Sequence, residues 1–217
     1  MNSRFQSFYR VVWIGFGITA ALLLLVTLWA AVRWHEAVSK PLPIYGLVAP
    51  FALTNQDGQA TTLENLKGHV WVGDIIFTRC AGPCLKMSRQ MKQLQDALSG
   101  DTEARLVTLT TDPDYDSPRV LKTYGHRFGA DNDRWTFLTG TKAQIANLAT
   151  GSLKLSALAK PADQQSSPVD LFIHSTIFVV VDKEGQLRGV YESTGDNVQP
   201  EQVRTQLLAA VHSLERE

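Results

Sequence analysis

The sequence predicts a three-layer α/β domain around a mixed sheet, carried behind one membrane-spanning helix. Three observations predict it. A charge-free apolar run lies near the N-terminus, strand-like and helix-like segments alternate through the middle of the chain, and a hairpin followed by an amphipathic helix closes it. Alternation of this kind packs helices against a central sheet. About 180 residues follow the apolar run, enough for one core and too few for two ordinary domains.

From Val11 to Val32 the chain reads VVWIGFGITAALLLLVTLWAAV, 22 residues without a charge. At a rise of 1.5 Å per residue this spans about 33 Å, matching a hydrocarbon core of about 30 Å. Trp13, Trp29 and Trp34 fall at the two interfaces. A cleaved signal peptide has a shorter apolar region, about 7 to 15 residues, and here the small pair Ala30-Ala31 is flanked by Trp29 and Val32, so residues 11–34 read as a retained anchor. Arg4, Arg10 and the α-amino group outweigh Arg33 and Lys40, which keeps residues 1–10 in the cytoplasm and sends the rest into a periplasm-like space where thiols oxidise. No Arg- and Ser-rich presequence precedes the helix, which points to a bacterial inner membrane rather than a mitochondrial precursor.

Residues 35–48, rich in proline and without periodicity, read as a stiff linker, and residues 49–217 as the domain. Phe51 to Thr54 and Ala60 to Thr62 form a hairpin around the turn at Asp57-Gly58. His69 to Phe77 is a nearly continuous apolar run, the mark of a strand buried on both faces. A helix from Pro83 to Leu98 carries Leu85, Met91, Leu94 and Leu98 at helical spacing. A strand from Arg105 to Thr110 precedes a helix from Pro118 to Phe128, with Ser117 as cap. Trp135 to Leu138 is a strand, Thr141 caps a helix to Leu148, and Thr150 to Pro168 reads as a loose insertion. Thr176 to Val181 and Leu187 to Tyr191 form a second hairpin, and Gln199 to Glu215 is the closing helix.

Basic and acidic residues are equal at 21 each, so no basic surface invites nucleic acid. Two cysteines are too few for a disulfide-stapled scaffold. Those two, Cys80 and Cys84, stand four apart where the strongest strand gives way to a helix, and chemistry in open α/β sheets sits just past the carboxyl end of a strand. Two thiolates with the distant imidazole of His174 are a ligand set suited to a soft ion such as Cu(I). The same sulfurs are also within disulfide reach, because residues four apart on a helical turn lie about 6 Å apart. The start of a helix and the adjacent Arg79 both favour thiolate. A purely structural disulfide closing so short a loop contributes little.

The chain resembles the Sco/SenC family, membrane-tethered thioredoxin-like proteins that handle copper for cytochrome c oxidase. Four stretches carry the resemblance: Ala49 to Thr54 with Gln56-Asp57-Gly58; Phe77-Thr78-Arg79-Cys80 to Cys84; Thr110 to Pro118 with Trp135 to Gly140; and His174-Ser175 leading into a hairpin. The resemblance implies a thioredoxin-like fold, one copper ion per chain as Cu(I) or Cu(II), and the ligands Cys80, Cys84 and His174. It also implies partners: the copper-bearing subunit of the oxidase and other copper or thiol carriers. Leu85 and Ile173 stand where family members often have Pro and Asp, which alters the helix start and removes a polar neighbour that could orient the imidazole.

Asp74 interrupts the buried strand six residues before Cys80, where thioredoxin-like proteins often carry an acid that moves a proton to or from the dithiol. Met87 and Met91 suit core filling or a thioether route for Cu(I). Asp112, Asp114 and Asp116 fit turn and helix-start chemistry before Pro118, and His35, His69, His126 and His212 read as surface or structural. The expected protein is a metallochaperone rather than an enzyme, which delivers copper to the oxidase or keeps its cysteines reduced. The rival readings are a thiol-disulfide oxidoreductase or redox sensor using Cys80 and Cys84, and a peroxidase using Cys80 alone.

Overall fold

The computed structural model describes residues 3–38, 41–100, 103–155, 176–195 and 197–217, in two compact units divided after Pro41. The first unit is one helix, α1 (Ser3–Val38), whose segment Trp13–Ala30 is long and apolar enough to cross a membrane. Thr19 and Thr27, its polar residues there, donate to the carbonyls of Phe16 and Leu24 one turn back, which satisfies their hydroxyls within the helix. α1 extends past residue 34 to Val38, because His35, Glu36 and Ala37 do not break a helix and the first proline is Pro41.

The second unit, from Leu42 to Glu217, is the three-layer α/β domain. Its strands are β1 (Gly46–Leu47), β2 (Ala52–Asn55), β3 (Ala60–Thr62), β4 (Trp71–Ile76), β5 (Arg105–Thr110), β6 (Trp135–Thr139), β7 (Ile177–Val181) and β8 (Gln186–Glu192). They form one sheet in the order β1-β8-β7-β4-β5-β6-β2-β3. β4, β5 and β6 run parallel and the other pairings are antiparallel, so the sheet is mixed as expected. The helices are α2 (Pro83–Leu98), α3 (Pro118–Phe128), α4 (Lys142–Ala146) and α5 (Pro200–Glu215).

All six residues of β4 are buried, and their alternation divides the core into two layers. Val72 and Ile76 face a cluster with Met87, Met91 and Leu94 of α2, Leu121 of α3 and Leu207 of α5. Trp71 and Ile75 face the opposite cluster, with Leu53, Ile145 of α4, Leu148 and Leu187. At helix α3 the Ser117 hydroxyl accepts from the Val120 amide, and Gly129 closes the far end at φ 67°, a left-handed conformation that glycine adopts without a Cβ clash.

Two sequence expectations change. The linker read over residues 35–48 is structured at both ends: α1 runs to Val38, and Gly46–Leu47 pairs with β8. The buried Arg188 guanidinium donates to the Leu42 carbonyl at 2.8 Å and to Asp182 at 2.8 Å, so the entering chain is tied to the second hairpin. The loose insertion expected from Thr150 is packed over its first part, where a π-helical turn (Asn147–Ser152) leads into the buried Leu153 and Leu155. The rest of that insertion lies outside the described residues.

Candidate metal centre

Helix α2 begins where β4 has just ended, and the dithiol lies in that junction. The Phe77 carbonyl accepts from the Cys80 amide at 3.1 Å, turning the chain sharply, and Pro83 at the first helical position sets Cys84 in the first turn of α2. Both cysteines are buried, at 4% and 3% exposure, and no disulfide joins them. The sulfurs share a hydrogen bond: the Cys80 partner first, and burial second, push the Cys84 thiol above its ordinary value, while the Phe77 backbone works in the other direction. Two neighbouring thiols are suited to a soft cation that replaces their protons.

Arg79, expected to favour thiolate, shares its charge with other partners. Its Nη2 donates to Asp112 Oδ2 at 2.5 Å, and its guanidinium carbon lies 4.2 Å from the centre of the Tyr115 ring, so its charge is taken up by neighbours. The turn is held a second time by Asp116, fully buried, whose carboxylate accepts from the Thr78 amide and from the Thr78 and Thr110 hydroxyls. Sequence reasoning assigned Asp112 and Asp116 to local turn chemistry. Their side chains instead bind the residues preceding Cys80, because the parallel register pairs Ile76 with Thr110 and sets the loops after β4 and β5 side by side.

Asp74 lies on the same sheet face as Val72 and Ile76, toward α2. Burial pushes its carboxyl up to about 7, against the lowering effect of the Thr108 hydroxyl, which donates to Oδ1 at 2.6 Å. Trp135 Nε1 donates in turn to Thr108, while Asp74 Oδ2 has no hydrogen-bond partner among the described residues. Asp74 is near enough for its charge to raise Cys84. Behind the dithiol the Ser88 and Tyr124 hydroxyls bond at 2.8 Å, and burial raises Tyr124.

Met87 and Met91 are fully buried among the core residues of α2. His69 lies beside Glu103, and His126 is exposed. His174 and Ile173 lie outside the described residues. Among the described residues, no cluster of three His, Cys, Asp or Glu side chains could hold a metal ion.

Comparison with known proteins identifies relatives of this chain. The family model described as SCO1/SenC matches residues 43–211. The SCO1 protein homolog of Bacillus subtilis (strain 168) is 33% identical over 173 residues, covering 79% of this chain and 84% of that protein. The solved structure of BsSco, described as a member of the Sco family of cytochrome c oxidase assembly proteins and reported with a disulfide switch, is 28% identical with a TM-score of 0.62, over 79% of this chain and 98% of that one. Yeast Sco1 with copper bound is 26% identical with a TM-score of 0.62, over 77% of this chain and 90% of that one. The fold is the thioredoxin-like one of these Sco structures.

Proposed function

We propose, because the chain belongs to the SCO1/SenC family, that it binds copper and serves the assembly of the dinuclear copper site of cytochrome c oxidase. The observation that supports this most is the pair of buried thiols, Cys80 and Cys84, sharing a hydrogen bond at the carboxyl end of β4. One copper ion per chain is held by Cys80, Cys84 and His174, as Cu(I) with these three ligands and as Cu(II) with an added exogenous donor. α1 anchors the chain in a bacterial inner membrane, with residues 1–10 in the cytoplasm and the domain in the periplasm.

Copper supplies a soft, exchangeable acceptor that can pass to other thiolates. The chain's own residues do the rest. Cys80 and Cys84 release their protons on binding, Asp116 and the Arg79–Asp112 pair hold the turn that carries Cys80, and Asp74 takes up or returns a proton beneath the dithiol.

A second reading rests on the same sulfurs and on the disulfide switch reported for BsSco. As a thiol-disulfide oxidoreductase the pair attacks a partner disulfide through one thiolate, forms a mixed disulfide, and closes a Cys80–Cys84 bond. Two electrons and two protons pass to the partner, leaving its cysteines reduced and ready for copper.

Copper titration of the full chain in detergent tests the first reading. One equivalent is expected for the native protein, with binding lost in Cys80→Ser and Cys84→Ser. His174→Ala is expected to weaken affinity sharply at unchanged melting temperature, and an unaltered affinity removes His174 from the site. A disulfide reductase assay on the same samples tests the second.

A further inference from the structure

We infer that two adjoining basic grooves along α3, at either end of the dithiol segment, receive an acidic segment of the partner protein. The inference rests on the function proposed above, and names the chemistry of the surface that brings a partner to Cys80 and Cys84.

A groove of about 600 Å³ is lined by Thr78, Tyr115, Ser117, Arg119 and Arg127, among others. A second, of about 450 Å³, is lined by Leu85, Arg89, Lys92, Gln93, Arg127 and Phe128. Arg127 borders both. Thr78 stands two residues before Cys80 and Leu85 directly after Cys84, so the two grooves open at either end of the dithiol segment. Among the described residues no carboxylate lines either one.

The arginines there are uncompensated. Among the described residues the guanidinium groups of Arg89, Arg119 and Arg127 have no hydrogen bond or ion pair, and all three residues are exposed; Lys92, by contrast, pairs with Asp96. The chain as a whole is neutral, so three unpaired guanidinium groups across these two adjoining grooves are a local excess. The amino end of α3 adds partial positive charge beside Ser117.

Arginine forks suit carboxylates, which they bind with paired hydrogen bonds. An open groove does not enclose a small anion, whereas an extended acidic segment lays several carboxylates along it. The cysteines of a protein carrying that segment then arrive at Cys80 and Cys84 already oriented. Complementary charge acts mainly on the rate and register of encounter.

The probe is a fluorescein-labelled octapeptide of glutamate, compared with one of glutamine, binding to the full-length protein in detergent and followed by anisotropy. At about 0.02 M salt the glutamate peptide is expected to bind roughly tenfold more tightly, with the difference vanishing near 0.5 M. Arg119→Glu with Arg127→Glu is expected to abolish the preference. Arg105→Glu, at the start of β5 and so at the opposite end of the sheet from the dithiol, is expected to leave it intact. Equal binding of the two peptides, or equal loss in the Arg105 variant, overturns the inference. Copper titration of the same samples reads the metal site separately. A native protein that takes up no copper sinks the copper reading, and one that takes up copper but shows no preference for glutamate sinks only the groove.

Discussion

The carboxylate of Asp116 accepts a hydrogen bond from the Thr78 backbone amide at 3.1 Å, across 38 residues of sequence. It accepts from the Thr78 hydroxyl as well, and this fixes the turn two residues before Cys80. Asp116→Ala leaves the Thr78 amide and the buried Thr110 hydroxyl without their partner, at a cost of about 2 to 4 kcal/mol. Denaturant unfolding is expected to show that loss, with Asp116→Asn between the native protein and the alanine variant. Copper affinity is expected to fall with the alanine substitution, because the loop bearing Cys80 loses its support.

The half-buried pair of Arg79 and Asp112 is the other support of the same turn. A double-mutant cycle with Arg79→Ala and Asp112→Ala is expected to give a coupling energy of about 1 kcal/mol, above that of an ordinary exposed pair. Arg79→Lys keeps the charge but loses the planar stacking on Tyr115, so it is expected to recover only part of the lost stability.

Asp74 gives stability a pH dependence of definite sign. Its carboxyl, raised by burial from 3.8 to about 7, holds a proton in the folded chain that the unfolded chain has released. The folded state therefore binds more protons between about pH 4 and 7, and stability falls as pH rises through that window, by a few kcal/mol in order of magnitude. Unfolding measured at pH 4.5, 5.5 and 7 is expected to show this decline, and Asp74→Asn, which is neutral throughout, is expected to flatten it.

Gly125 of α3 lies against β6, where a Cβ would come within 2.9 Å of the Phe137 ring. Gly125→Ala forces the helix or the ring to shift, and a loss of about 1 to 3 kcal/mol is expected from overpacking. Since α3 carries Arg119 and Arg127, the glutamate-peptide preference is expected to weaken in this variant along with its melting temperature.

Strand β4, read two residues early at His69 and one late at Phe77, and the bounds of α2 were legible because the signals there are strong and local. A continuous apolar run, a proline at the helix start and apolar spacing down to Leu98 define both elements without help from the rest of the chain. Strand β1 was not legible: two residues among prolines have no periodicity, and they are a strand only because β8 offers an edge. The dithiol itself could be read from spacing, but the acids that brace it could not. Asp112 and Asp116 have ordinary turn and cap neighbours, and only the parallel register of β4 with β5 brings them to Thr78 and Arg79. The direction of Arg79 was missed for the same reason, since a charge adjacent in sequence to a thiol can be spent on a carboxylate from another loop.

The sheet ends at both margins in its shortest strands, β1 with two residues and β3 with three. A neighbouring copy that tried to extend the ladder would find too few amides and carbonyls there to offset the entropy of ordering its own strand. Self-association through the sheet is thereby discouraged at either rim. Copies crowded on a common surface can stay separate, leaving encounters to be decided by side chains rather than by exposed backbone.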